Sequence, residues 1–194
     1  VMEGVIHTQD QKIPTAAEYM RPDKCRVEYT IREEVVIQAF DGASAWEKNP
    51  HSTSPGPVKL DKGRTDYLGD KCDIEGPLVG YKNKNLKVTL DGRKAVGDRN
   101  TYVIKVTYPS GNLQYYLLDP ETFRPVQAVG VFNIDGKSST VQTRFDDYRN
   151  TSGLYIPFRL LFDKEGDAPT EELRVSSVVV NSGISENIFT MPSK

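Results

Sequence analysis

The chain has 194 residues, 37% of them hydrophobic and 27% charged, and a formal net charge of −2. This length can bury a real hydrophobic core, and the composition excludes wholesale disorder. The small net charge and the scattered Lys and Arg residues argue against a surface that binds nucleic-acid phosphates. No apolar run approaches the roughly 18 residues that a membrane-spanning helix needs.

The start of the chain carries no readable targeting signal. Val1 is not an initiator methionine, and no basic segment followed by an apolar stretch comes after it. Two interpretations stay open: a trimmed piece of a protein, or a secreted protein whose signal peptide has been removed.

Turn-forming residue pairs punctuate the chain, many at a spacing of roughly 8 to 12 residues. That spacing favours a meander of β-hairpins over alternating strands and helices. The pairs are Asp41-Gly42, Asp91-Gly92, Ser110-Gly111, Asp119-Pro120, Asp135-Gly136 and Ser152-Gly153.

Between these turns, apolar and polar residues alternate with the period of a β-strand. A first strand is predicted over Met2 to His7, and the alternation is regular over residues 27–31, 102–108 and 141–145. Strict alternation predicts an antiparallel sheet with one covered face and one face in water.

Several later segments are apolar on both faces, namely residues 113–118, 154–162 and 175–180. Such strands need a second covering layer, which can be a helix, a lid or a ligand. Pro157 predicts an edge or a bulge, because proline cannot donate to the ladder. The bulky side chains on these strands form either an ordinary packed core or the wall of a cavity for an apolar ligand.

The segment between the two groups of strands does not read as sheet. Residues 49–57 form a loop rich in Pro and Ser, residues 59–70 are predicted as a short helix packed on the sheet, and residues 74–81 as a turn with apolar anchors. The acidic side chains in this region are expected to form a solvated helix face. They are Asp66, Asp70, Asp73 and Glu75.

Cys25 and Cys72 are the two cysteines of the chain. A disulfide between them would close a loop long enough to stabilise the protein by about 4 kcal/mol in the chain-entropy model. Two buried free thiols are the alternative.

Residues suited to catalysis are scarce. The two histidines, His7 and His51, have no recognised metal-ligand spacing with cysteines or carboxylates. The segment from Gly42 to Trp46 lacks the second glycine of a nucleophile elbow. We therefore expect no enzymatic activity, no metal and no cofactor.

Three phrases carry a resemblance to a known family. They are FDGASAWEKNP at residues 40–50; YLLDPETFRP at 116–125 with FDDYR at 145–149 and GLYIP at 153–157; and VVVNSGISENIFTMP at 178–192. Together they resemble the outer-membrane lipoprotein-sorting proteins, the LolA/LolB-like family of periplasmic lipoprotein carriers, as a divergent member.

The resemblance implies one mainly β domain over residues 1–194: a strongly curved antiparallel sheet or half-open β-barrel of about eleven strands. The short helical insertion would act as a lid over a hydrophobic cavity. Members usually begin with a helix, and this chain starts directly in a strand, so that helix and the signal peptide are taken to be missing. The implied location is the periplasm of a Gram-negative bacterium.

The predicted function is that of a carrier that holds a lipid or the acyl chains of a lipoprotein, in outer-membrane lipoprotein sorting. The alternative is a sensor or regulatory domain of the cell envelope that binds a protein partner with the same fold. Trp46 is expected near the rim with its indole N–H hydrogen-bonded, and Leu173, Val175 and Val179 are expected on the wall. Alternation predicts the main ligand-binding wall as Val27, Tyr29, Ile31, Tyr102, Ile104, Val106, Leu154, Ile156, Phe158 and Leu160.

Overall fold

Thirteen antiparallel strands form one sheet in the computed structural model, which describes residues 1–134, 136–164 and 170–193. One α-helix, α1 (Lys62–Cys72), joins the sixth strand to the seventh, and a 3-10 turn (Glu186–Phe189) lies near the end of the chain. The strands are β1 (Met2–His7), β2 (Lys12–Met20), β3 (Lys24–Ile31), β4 (Glu34–Phe40), β5 (Ala45–Lys48), β6 (Pro57–Lys59), β7 (Lys87–Val96), β8 (Arg99–Thr107), β9 (Leu113–Leu118), β10 (Pro125–Ile134), β11 (Lys137–Thr151), β12 (Leu154–Lys164) and β13 (Glu171–Val178).

The sheet consists of two meanders that meet where β1 pairs with β13. Its order is β6-β5-β4-β3-β2-β1-β13-β12-β11-β10-β9-β8-β7, so β6 and β7 are the two edges. The sheet is strongly curved and does not close. The predicted half-open antiparallel architecture is confirmed, with thirteen strands among the described residues where the resemblance implied about eleven.

Helix α1 crosses the concave side of this sheet. Its N-cap is Asp61, whose side chain accepts a hydrogen bond of 3.0 Å from the Arg64 N–H. The helix begins later than predicted because Pro57–Lys59 first extends along β5 as the short strand β6. Among the described residues no helix is long and apolar enough to cross a membrane.

A disulfide joins Cys25 of β3 to Cys72 at the end of α1, with the two Cα atoms 5.1 Å apart. Both cysteines are buried in a cluster with Phe40 and Leu68. The helix approaches the sheet closely here, since a Cβ atom on Gly69 would lie 3.0 Å from the Phe40 ring. Of the two alternatives for the cysteines, the structure has the disulfide.

The predicted turn at Asp91-Gly92 is wrong. Both residues lie inside β7, where Leu90 pairs with Ile104 but Arg93 pairs with Tyr102, so β7 has one residue more than β8. This is a β-bulge, and Gly92 has the positive φ of +102° that a bulge of this kind favours. The pair therefore bends an edge strand and does not reverse the chain.

A second bulge overturns the predicted position of Val179. Glu3 pairs with Ser177 and Gly4 pairs with Val175, which leaves one extra residue in β13. From that point the faces of β13 exchange, because each added residue shifts the side-chain alternation by one. Val179 lies beyond the strand and is 53% exposed.

Pro157 lies in β12, which is an internal strand of the sheet. The pairing of β12 with β13 runs only from Arg159 to Phe162, so residues 154–158 have β11 as their one partner among the described strands. The prediction of an edge is therefore met only in residues 154–158, the part of β12 that contains Pro157.

Trp46 does not lie at the rim. Its neighbour Ala45 packs against α1, so Trp46 points to the opposite, convex face of β5, where it is buried. Its indole N–H donates a hydrogen bond of 2.7 Å to the Phe189 carbonyl. The hydrogen bond was predicted correctly; the position was wrong because the C-terminal segment folds back over this face.

Candidate ligand cavity

A cavity of about 450 Å³ lies between the concave face of the sheet and helix α1. This volume is in the range of sites that bind small molecules, roughly 300 to 1,000 Å³. Most of its wall is apolar or aromatic. The aliphatic members include Met2, Ile6, Ala17, Val27, Leu68, Ala128, Val141, Leu160 and Leu173, and the aromatic members are Tyr19, Tyr29, Tyr67, Tyr116, Phe132, Phe145 and Phe162.

The register of the sheet places these side chains on one face. Residues directly opposite each other in antiparallel strands point the same way. Tyr116 pairs with Ala128, Ala128 with Thr143, and Thr143 with Phe162, which makes one continuous row from β9 to β12. The small side chain of Ala128 leaves room in the middle of this row.

From the predicted wall, the structure brings Val27, Tyr29 and Leu160 together around the cavity. Ile31 is the last residue of β3 and lies outside the lining. Leu173, from the additional row, also lines the cavity, whereas Val175 is buried and does not.

The predicted residues of β8 lie on the same face as the lining but beyond it. Ile104 is opposite Tyr116, and Val106 is fully buried opposite Gln114. Tyr102 instead stacks with Phe123, with ring centroids 6.2 Å apart. These side chains support the wall from the side near the β7 edge.

The predicted row in β12 divides along the strand. Leu160 lines the cavity, and Phe158 is buried with the Arg149 guanidinium 4.4 Å from its ring centroid. Ile156 is half-buried and Leu154 is 52% exposed at the β11–β12 hairpin. The row keeps the predicted alternation, but Leu154, Ile156 and Phe158 lie outside the cavity lining.

Three phenylalanines of the lining were absent from the predicted wall. Phe162 is two residues after Leu160 in β12, and Phe145 belongs to the alternating segment of β11. The alternation of apolar residues could therefore have predicted both as part of the wall. Phe132 follows Gly130 and lies so close that a Cβ atom on that glycine would be 2.3 Å from its ring. That contact depends on the fold and leaves no simple pattern in the sequence.

Helix α1 bridges the two walls of the cavity. At one end the disulfide holds it to β3. On the other wall, the ring of Tyr67 meets the ring of Phe132 edge-on, with centroids 4.8 Å apart, and the Lys71 ammonium lies 4.0 Å from the Tyr67 centroid. The predicted helical insertion therefore covers the concave face.

Asp70 extends from α1 into the cavity wall. Its carboxylate accepts hydrogen bonds from the Asn112 side-chain amide at 2.7 Å and the Ser110 hydroxyl at 3.1 Å. Burial raises the pKa of the Asp70 carboxyl to about 6, against the opposing effect of these two hydrogen bonds.

The acidic residues around α1 match the predicted solvated face in part. Asp66 pairs with Lys62 at 2.6 Å, Asp73 with Lys84 at 2.5 Å and Glu75 with Arg21 at 3.1 Å. Asp70 differs from them because both of its hydrogen-bond donors are neutral. The expectation was wrong for Asp70, since the helix turns that side chain toward the sheet.

Four tyrosine hydroxyls also belong to the wall, together with the neutral polar side chains of Thr15, Gln38, Gln114 and Thr143. Burial raises the pKa of Tyr29 to about 12 and also raises the pKa values of Tyr19 and Tyr116. The Tyr116 hydroxyl donates to the Gln114 side-chain oxygen. The hydroxyls of Tyr19, Tyr29 and Tyr116 are therefore neutral at physiological pH and add no charge to the cavity.

No protein-family model matches the sequence, and no curated protein matches it. Solved structures do. The match to a LolA superfamily protein from Nitrosomonas europaea covers 97% of this chain and 87% of that protein, with a TM-score of 0.66 and 14% sequence identity. The match to an outer-membrane lipoprotein-sorting protein domain from Vibrio parahaemolyticus covers 97% of this chain and 86% of that domain, with a TM-score of 0.62 and 12% sequence identity.

A third match, a DUF1329 family protein from Desulfovibrio piger, covers 97% of this chain with 88% of its own, at a TM-score of 0.65 and 9% identity. The chain has a LolA-like fold. At these identities the comparison establishes the fold alone, and it extends along almost the whole chain.

The described part of this LolA-like structure contains no group of three His, Cys, Asp or Glu side chains placed to hold a metal ion. His51 anchors its own loop, with Nδ1 3.3 Å from a Glu34 carboxylate oxygen and Nε2 3.1 Å from the Ile31 carbonyl. What the LolA-like cavity offers is mainly apolar surface, with the charged side chains of Asp70, Lys71 and Asp73 in its wall.

Proposed function

We propose that this protein is a carrier that holds a lipid, or the acyl chains of a lipoprotein, in the cavity between α1 and the concave face. The observation that carries the proposal is the cavity itself: about 450 Å³, walled mainly by aliphatic and aromatic side chains and covered by a helix that a disulfide anchors. The wall residues Val27, Tyr29 and Leu160 are part of the proposed ligand site.

The physical driving force is transfer of hydrocarbon out of water. Burial of an acyl chain contributes about 0.8 kcal/mol per methylene group. The open, curved sheet supplies the apolar area without chemistry, and we propose that the protein is not an enzyme.

The proposed setting is the periplasm of a Gram-negative bacterium, with a role in outer-membrane lipoprotein sorting. The LolA-like fold supports this setting, as do the descriptions of its structural neighbours. The disulfide supports it as well, because disulfides persist in oxidising compartments such as the periplasm. We further propose that residues 1–194 form one domain.

The first experiment measures binding of a fluorescent fatty-acid probe to the purified, delipidated protein. We expect saturable binding to the wild type and its loss in Ala128→Phe, which fills the middle of the cavity wall. Val129→Phe is the matched control, because Val129 is the next residue of β10 and points to the other face. Equal binding by the two variants would contradict the proposed site.

The second experiment identifies the natural occupant. Protein purified from a lysate that contains membranes is analysed by native mass spectrometry and lipid extraction. We expect a bound lipid or acylated species that is released on denaturation and is absent from Ala128→Phe. A mass that always equals that of the bare chain would count against a carrier.

A second candidate function is a cell-envelope sensor that binds an extended segment of a protein partner. It is favoured by β12, where residues 154–158 have no partner on the β13 side among the described strands and Leu154 and Tyr155 are 52% and 53% exposed. Such an edge can accept an added strand. This function would be favoured over the carrier by two results together. The wild type should capture an envelope protein that Tyr155→Lys does not capture, and the purified protein should contain no bound lipid.

A further inference from the structure

Three charged side chains belong to the cavity wall: Asp70, Lys71 and Asp73. Two of them, Asp73 and Lys71, already interact with another side chain of the protein. Asp73 forms an ion pair with Lys84, and the Lys71 ammonium lies over the Tyr67 ring. Among the described residues, no Lys or Arg lies within ion-pair distance of Asp70, whose hydrogen bonds come from Asn112 and Ser110.

An ionised carboxylate in this position is costly for the fold. Desolvation disfavours the charge, and the raised pKa of Asp70 reports that cost. Asn112 and Ser110 could be held equally well by a neutral Asn at position 70, since an amide oxygen also accepts hydrogen bonds. Docking of the helix therefore does not require the charge, and a carboxylate that lines a cavity with only neutral hydrogen-bond donors is a candidate functional group.

The aromatic rings on the wall also favour positive charge. Tyr67 is one helical turn from Asp70, and its ring packs against Phe132. The faces of such rings carry negative potential and attract cations. Lys71, 4.0 Å from the Tyr67 centroid and 5.4 Å from that of Phe132, demonstrates that a cation can be accommodated beside them.

We propose that the ligand of the cavity is an amphiphile with a cationic nitrogen, a protonated amine or a quaternary ammonium, which pairs with the Asp70 carboxylate. This inference rests on the proposed function, because it requires that the apolar part of the ligand occupies the cavity. It adds the chemical class of the head group.

The test compares three probes with the same ten-carbon chain: decyltrimethylammonium, decanol and decyl sulfate. The two charged probes are kept below their micelle-forming concentrations, and decanol is kept below its solubility limit. Binding to the delipidated full chain is measured by calorimetry at pH 7.5 and low salt. We expect decyltrimethylammonium to bind at least about 10-fold more tightly than decyl sulfate, with decanol between them. This comparison uses the wild type and needs no substitution.

Asp70→Asn then tests the residue. It removes the charge and keeps an acceptor for Asn112, so the helix should stay docked, which circular dichroism and thermal unfolding verify. We expect about a 10-fold loss of affinity for decyltrimethylammonium and no change for decanol. Asp66→Asn is the matched control on the same helix; it lies outside the lining and should leave all three affinities unchanged.

The outcomes separate the two proposals. If all three probes bind equally, or if Asp70→Asn leaves the preference intact, the cationic head group is excluded while the apolar-ligand function stands. If Asp66→Asn weakens binding as much as Asp70→Asn, a general field and not the Asp70 pair is responsible, which also overturns the inference. If none of the probes binds, the carrier function fails together with it.

Discussion

Ile104 lies directly opposite Tyr116 in the antiparallel pair β8–β9, and Tyr116 continues the same face into the cavity wall. Ile104→Asp would place a carboxylate among these side chains without a partner. Because Ile104 is half-buried, we expect a loss of about 2 to 3 kcal/mol in the free energy of unfolding.

Lys105→Asp is the control for that substitution, because Lys105 is the adjacent residue and points to the other face. There its ammonium lies 5.6 Å from the Tyr115 ring centroid. Chemical denaturation should give a loss below about 1 kcal/mol. Similar losses for the two variants would show that the assigned faces of β8 are wrong.

Reduction of the Cys25–Cys72 disulfide should destabilise the fold. The two residues are 47 positions apart, and release of a loop of that length costs about 4 kcal/mol in the chain-entropy model. Urea denaturation with and without reductant measures the difference. The double variant Cys25→Ala/Cys72→Ala should be equally unstable and insensitive to reductant; a wild type that reductant does not weaken would contradict the expectation.

Phe189 is fully buried on the convex face, where its carbonyl accepts the Trp46 indole N–H. Phe189→Ala should cost about 3 to 5 kcal/mol through the cavity that it leaves. Since Trp46 is the single tryptophan of the chain, its fluorescence should also shift to longer wavelength. Phe123→Ala, at a position that is 64% exposed, should cost less than about 1 kcal/mol and leave the emission unchanged.

Gly130 leaves space for the ring of Phe132 in the cavity wall. A Cβ atom at position 130 would lie 2.3 Å from that ring, so Gly130→Ala should displace Phe132, loosen its contact with Tyr67 and cost about 1 to 3 kcal/mol. Gly56→Ala is the control, because a Cβ atom there would have no neighbour within 4 Å. Thermal unfolding of both variants tests this; equal melting temperatures would refute the close approach.

The Asp70 carboxyl predicts a pH-dependent stability. Its pKa is about 6 in the folded chain and near 3.8 when unfolded, so the folded state binds more protons between these values and the free energy of unfolding falls as pH rises through this window. The nearby charges of its own helix are Asp66 and Lys62, and the hydroxyl of Tyr108, the residue after β8, also interacts electrostatically with its carboxylate.

Asp70→Asn should consequently be more stable than the wild type above pH 6, by about 1 to 2 kcal/mol once screening by solvent is allowed for. The difference should disappear near pH 4, where the wild-type carboxyl is protonated in the folded state. Asp66→Asn should differ little from the wild type at either pH. Denaturant titrations at pH 4 and 7.5 measure both; a gain for Asp70→Asn that is the same at both pH values would rule out the charge as its cause.

The local pattern of apolar and polar residues was enough to predict most of the strands, the helix and the need for a cover over the sheet. Alternation over residues 27–31 and 102–108 identifies strands and their two faces because side chains alternate along any extended backbone. The polar segment before Cys72 indicated the helix, and the apolar groups on both sides of β12 indicated that something must cover the concave face.

The positions of Val179, Trp46 and Asp70 could be learned from the tertiary structure alone, because they depend on contacts between segments that are distant in the sequence. The bulge in β13 removes Val179 from the wall, and the C-terminal segment buries Trp46 on the convex face; both result from which strands become neighbours, which alternation does not encode. The same holds for Asp70, whose environment is set when α1 crosses the sheet and meets Asn112, 42 positions away in the chain. A period of two fixes which residues share a face, but the curvature and register of the sheet decide which of them meet around one cavity.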